Sequence, residues 1–98
     1  MSRAITAEEA REDFLNHIHA LVEYWANLPD HTDKEKCDGL AFSILVTLDG
    51  ESADLPALDL LLSPHPDDKQ FHIDEDEDWY ESGMMINDCA LHELWYNR

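Results

Sequence analysis

Positive charge is what this sequence has least of. Lys and Arg total six against 23 Asp and Glu, and the formal net charge is -17 over 98 residues. Such a chain repels nucleic acid and anionic membrane surfaces, because both are polyanions. Cations and basic proteins remain as partners, and plain solubility remains as the alternative meaning of the charge. Glycine is scarce as well. Gly39, Gly50 and Gly83 are the only three, too scattered for a loop that cradles phosphate. The two cysteines, Cys37 and Cys89, make neither a disulfide framework nor a zinc set. Both sit in half-apolar, helix-like surroundings and are expected to be reduced and buried in a cytoplasmic protein, with a single disulfide between them as the alternative. No run reaches the length of a membrane span. Met1-Ser2-Arg3 leads into Glu8 and Glu9, not into the apolar stretch of a signal peptide.

Apolar residues are not lacking: they make up 44% of the chain, enough for a packed core and too many for a disordered one. The length suits a single small domain spanning residues 1–98. The longest apolar run lies between Gly39 and Gly50. From Leu40 to Leu48 only Ser43 and Thr47 are polar, and neither is charged. A segment apolar nearly all round is expected in the interior, with the carboxylates outside it.

Periodicity places the elements. Thr6 with Glu9 spells a capping box, and Phe14, Ile18, Leu21, Val22, Trp25 and Leu28 recur at three- and four-residue spacing. A first helix over 6–28 follows, ended by Pro29. Thr32 with Glu35 is a second capping box and starts a helix through the central run, with Gly50 just past its end. Phe42 to Leu48 is also rich in strand formers, and Asp49-Gly50 is a hairpin signal; the capping box and the length of the run favour helix. Ala57 to Ser63 and Lys69 to Asp74 alternate apolar and polar residues around the turn Pro64–Asp68, which predicts a β-hairpin. Asn87 or Asp88 is expected to cap a last helix reaching Tyr96. The expected fold is α+β: two antiparallel helices, a β-hairpin and a short C-terminal helix.

Candidate chemistry is thin. Asp74, Asp76 and Asp78 match the first positions of a calcium loop, but Trp79 stands where glycine is needed and Met85 where glutamate is needed. A metal site is open only if His72, Asp74 and His92 converge. His17 and His19 fall on different sides of the first helix. Ser43 and Ser63 have no nucleophile elbow, and neither cysteine has cationic neighbours to activate it. No catalytic residue, cofactor or metal is assigned, and the chain reads as a non-enzyme.

What remains is negative charge beside aromatics. Glu8, Glu12 and Glu23 share the polar face of the first helix. The run Asp74, Glu75, Asp76, Glu77 and Asp78 is followed by Trp79 and Tyr80. Carboxylates four residues apart on a helix lie about 6 Å from one another, close to the phosphate spacing of a nucleic-acid strand. Such a track can fill the Lys/Arg groove of a nucleic-acid-binding protein, with Trp79 and Tyr80 as anchors. A further reading is a homodimer through Trp95 and Tyr96.

Three stretches, Ala41–Gly50, Ser63–Lys69 and Leu91–Tyr96, together resemble a group of small acidic proteins of bacteria and phages whose function is unknown. The resemblance spans most of the chain and carries no catalytic residue. It implies a mobile-element setting, in which small acidic proteins inhibit host defence enzymes in the manner of DNA-mimic anti-restriction and anti-CRISPR proteins.

Overall fold

A computed structural model describes residues 2–98. These residues form four α-helices and a terminal 3-10 turn: α1 (Ala7–Ala26), α2 (Asp33–Leu48), α3 (Asp68–Asp74), α4 (Leu91–Leu94) and a turn at Trp95–Asn97. No strand occurs among the described residues, so the α+β expectation is overturned: the protein is helical.

Both capping boxes form. Thr6 Oγ1 accepts the Glu9 amide at 3.1 Å and Glu9 Oε1 accepts the Thr6 amide at 3.1 Å. Thr32 and Glu35 repeat the exchange at 3.2 and 2.8 Å. Each pair satisfies amides that the first helical turn would leave without partners. The central run is helix, not strand. It ends as its sequence suggests: Gly50 takes φ +82°, the Gly50 amide reaches Thr47 O and the Glu51 amide reaches Val46 O, both at 3.1 Å. This is the Schellman closure, which needs a left-handed residue at that point.

The predicted hairpin fails at both arms. Lys69 to Asp74 lies inside α3. The alternation of Phe71 and Ile73 spans too few residues to separate a strand from one helical turn. Acidic Asp68 in the first turn and a Gln70-to-Asp74 side-chain bond of 2.8 Å support the helix. Residues 57–63 stay irregular; their Leu-rich sequence has no β-branched residue to favour a strand. Their partner is the 83–87 segment. The Leu62 amide bonds Met84 O, the Gly83 amide bonds Leu62 O and the Ile86 amide bonds Leu60 O, at 2.8–3.0 Å. The only β-bridge among the described residues is Leu61 with Met85. The last helix starts later than expected: its N-cap is Ala90, without a side-chain cap bond, rather than Asn87 or Asp88. Asn87 Oδ1 instead accepts the Leu60 amide at 2.8 Å.

The chain divides into two compact units. The first holds residues up to Leu58 together with Ala90–Arg98; the second is Asp59–Cys89. In the first, α1 packs along α2, and α4 packs on α2. The expectation of a deeply buried central run is corrected here. Among the described residues no apolar side chain is fully buried, and the most enclosed side chain is polar Thr47, 1% exposed. Two helices lying side by side cover one flank of each, so an all-round apolar helix such as α2 remains half-buried. Cys37 and Cys89 are free and exposed rather than buried.

Polar bonds tie α1 to α2 along their seam. The Trp25 indole N–H donates to Ser43 Oγ at 2.9 Å. The Thr47 hydroxyl donates to Ser43 O at 2.9 Å, so the 3.0 Å contact of His17 Nε2 with Thr47 Oγ1 is an N–H donated by histidine. Gly39 is buried beneath Trp25; a Cβ there would overlap the indole ring.

Candidate functional site

The sequence points to carboxylates, and the structure distributes them over both units. In the first, Glu8, Glu12 and Glu23 are all exposed on α1. Capping geometry draws Glu9 back toward Thr6, and Arg3 closes on it with two bonds of 2.7 and 2.8 Å. The Arg3 guanidinium, helped by the Thr6 amide and hydroxyl, lowers the Glu9 carboxyl to about 2. Around it, Glu8, Glu9, Glu12 and Asp13 line one shallow depression. Glu8 and Glu12 have no cation partner among the described residues. Glu23 takes one weak contact, 3.4 Å, from the Asn27 amide.

In the second unit the run Asp74–Asp78 is not a straight track. It forms the C-terminal closure of α3. The Asp76 amide bonds Ile73 O at 3.2 Å and the Glu77 amide bonds His72 O at 2.8 Å, with Asp76 at φ +56°. This is a second Schellman closure, built on aspartate where glycine is usual. Asp74 is engaged by Gln70, and Glu77 lies 3.3 Å from His72 Nδ1. Glu75 and Asp78 are exposed.

The two aromatic anchors part company. Trp79, 39% exposed, donates its indole N–H to Glu81 Oε1 at 2.9 Å. Lys69 Nζ sits 5.4 Å from its ring centroid and 3.0 Å from Glu81. The indole N–H, then the Lys69 ammonium, hold the Glu81 carboxyl below its ordinary value. Trp79 is thus occupied locally. Tyr80 is 72% exposed.

His72 and Asp74 of the expected metal set belong to the second unit and His92 to the first. No group of three or more His, Cys, Asp or Glu that could hold a metal ion occurs among the described residues. His72 faces Glu77, and His92 is bound to Asp49. Of the two aromatics expected at a homodimer contact, Trp95 is half-buried and Tyr96 is 68% exposed, with its ring centroid 5.4 Å from that of Phe42.

One arrangement escapes sequence reading. Asp49 Oδ2 accepts both the His92 amide at 2.8 Å and His92 Nδ1–H at 2.6 Å. The Asp49 side chain is 3% exposed, and its other oxygen is buried without a hydrogen-bond partner. Burial pushes this carboxyl up, but the His92 amide and imidazole, with the Leu91 amide, outweigh it and hold the carboxyl below its ordinary value. The pair pins the start of α4 to the end of α2. Asp49 reads in sequence as a turn residue before Gly50, and nothing local announces a partner 43 positions away.

No helix is long and apolar enough to cross a membrane among the described residues. No protein-family model, no curated protein and no solved structure matches this chain.

Proposed function

We propose that the chain is a non-catalytic, cytoplasmic interaction protein that engages the basic surface of a partner through its carboxylates. The observation that carries the reading is the small share of acid neutralised internally. Of 23 Asp and Glu, Lys and Arg reach only Glu9, Asp38 and Glu81 among the described residues. Apart from Asp49 and half-buried Asp68, the remaining carboxylates are exposed, and their field raises the encounter rate with a cationic surface and selects against anionic ones. Exposed Glu8, Glu12 and Glu23 on α1 form the contact in the first unit. Glu75, Asp78 and Tyr80 form it in the second, while Asp74, Asp76, Glu77 and Trp79 are partly committed to local structure. A nucleic-acid-binding defence protein, occupied in place of its nucleic acid, is the partner class this chemistry suits. No three-ligand cluster among the described residues supports the metal reading.

The experiment is a binding panel of purified nucleases and other duplex-binding proteins, read across salt and in competition with duplex DNA. The expected result is a complex that weakens as salt rises, yields to DNA, and is lost when Glu8, Glu12 and Glu23 become glutamine. Failure to bind any member, or binding indifferent to salt, removes the proposal.

A further inference from the structure

Within the second unit two chain segments lie side by side, and their pairing is closed at both ends. At one end Gly83, at φ +84°, and Met84 share Leu62 as partner. The Gly83 amide bonds Leu62 O at 2.8 Å and the Leu62 amide bonds Met84 O at 2.9 Å, a bulge built on glycine. At the other end Asn87 Oδ1 takes the Leu60 amide at 2.8 Å, where a ladder would use a backbone carbonyl. Between these ends Leu61 and Met85 form the antiparallel bridge. The bonds flanking it run from the Leu62 amide to Met84 O and from the Ile86 amide to Leu60 O. In a pair flanked this way, the N–H and C=O of both residues turn outward. Neither Leu61 nor Met85 makes a hydrogen bond among the described residues. The pairing is therefore closed lengthwise and open sideways.

We propose that the edge at Met85 takes an extended segment of a partner protein as an added strand, and that this segment is apolar at its centre with Lys or Arg at its ends. The backbone is the first argument. Two paired segments alone are marginal, and an added strand uses N–H and C=O groups that the fold leaves over. The Met85 edge is favoured over the Leu61 edge. Gly83, Met84, Met85 and Ile86 are all exposed, whereas Leu60 and Leu62 on either side of Leu61 are half-buried. No charge or proline interrupts residues 83–86, although these are the usual means of blocking an edge.

Charge is the second argument, and it selects the occupant. The second unit holds ten Asp and Glu against the single Lys69, a net charge of -9. Lys69 is itself bonded to Glu81 at 3.0 Å. A second copy would set the same charge against itself and is repelled. Met84, Met85 and Ile86, which are 56, 42 and 49% exposed, suit an apolar centre. Exposed Glu81 before them and exposed Asp88 after them suit cations at the ends. The charge of this occupant rests on the partner class proposed above, whereas the backbone pairing does not.

The test adds a peptide with blocked ends, Lys-Thr-Val-Ile-Val-Thr-Lys, to the full chain. The expected result is saturable binding that weakens as salt rises. Exchange of the Met85 amide slows about tenfold or more, while the amides of α1 keep their rates. The same peptide methylated on the nitrogens of its three central residues has lost its donors and does not bind, and a version with Glu in place of Lys does not bind either. Met85→Pro removes the amide at the edge and breaks no internal hydrogen bond, because Met85 makes none among the described residues; it loses the peptide. Should that variant unfold, the methylated peptide on the unaltered chain still decides. No saturable binding, an unchanged Met85 amide, or equal binding of the methylated or Glu-flanked peptide overturns the inference. Protection of the Met85 amide that grows with chain concentration in the absence of peptide assigns the edge to a second copy and overturns it too. The nuclease panel can fail while the peptide binds, and the peptide can fail while the panel succeeds through Glu8, Glu12 and Glu23, so the two proposals fail separately.

Discussion

The Trp25 indole lies against Gly39 so closely that no side chain fits between them. A Cβ at Gly39 would overlap three atoms of the six-membered ring. One helical turn further along α2, Ser43 Oγ accepts the indole N–H at 2.9 Å. The glycine lets α1 approach α2, and the serine fixes the ring's orientation. A residue that costs helix stability in isolation is therefore what permits the helices to pack.

Gly39→Ala tests that relationship. Helix propensity alone favours alanine by about 1 kcal/mol. Overpacking against a ring whose N–H is tied to Ser43 costs roughly 1–3 kcal/mol. The net expectation is a loss of stability, read as a lower urea midpoint with an unchanged slope. A variant as stable as the parent, or more so, refutes the close packing of Trp25 on α2.

The Asp49–His92 pair anchors the chain's last turn, so its loss should loosen residues 91–97 before the rest. Asp49→Ala removes two hydrogen bonds to a charged acceptor, for a cost of about 1.5–3 kcal/mol. Amide hydrogen exchange should speed up across that segment while α1 stays protected. The pH dependence has a definite sign. The folded-state carboxyl lies below its ordinary value of 3.8, so its contribution is complete above that value. It is lost as pH falls through the lower folded-state value. Exchange at residues 91–97 that is indifferent to both the substitution and acid would rule the anchor out.

Asp76 occupies a left-handed position at φ +56° and places a negative charge at the end of α3, against the helix dipole. Asp76→Gly removes both penalties and should stabilise the protein by about 1–2 kcal/mol. The measurement is the thermal midpoint, supported by slower amide exchange at Asp76 and Glu77. A decrease in stability would mean that the Asp76 carboxylate has a partner that outweighs the strain.

Local signals in this chain were legible because they act locally. The capping boxes of Thr6 with Glu9 and Thr32 with Glu35, the stop at Gly50 and the charge on α1 each depend on residues within one or two turns. The sequence by itself therefore determined α1, α2 and the excess of unpaired carboxylates. It could not determine the fate of residues 57–74, where alternation too short to separate strand from helix was decided by Asp68, Gln70 and the pairing of 60–62 with 83–87. Nor could it show that Asp49 meets His92, or that the Asp74–Asp78 run closes a helix instead of forming a track. Burial was also decided only in three dimensions. Gly39 to Gly50 is apolar on every side, but α1 and α4 do not enclose all of it. The rest of its apolar surface stays exposed because the energy of burial depends on what lies opposite, and that is set by tertiary structure.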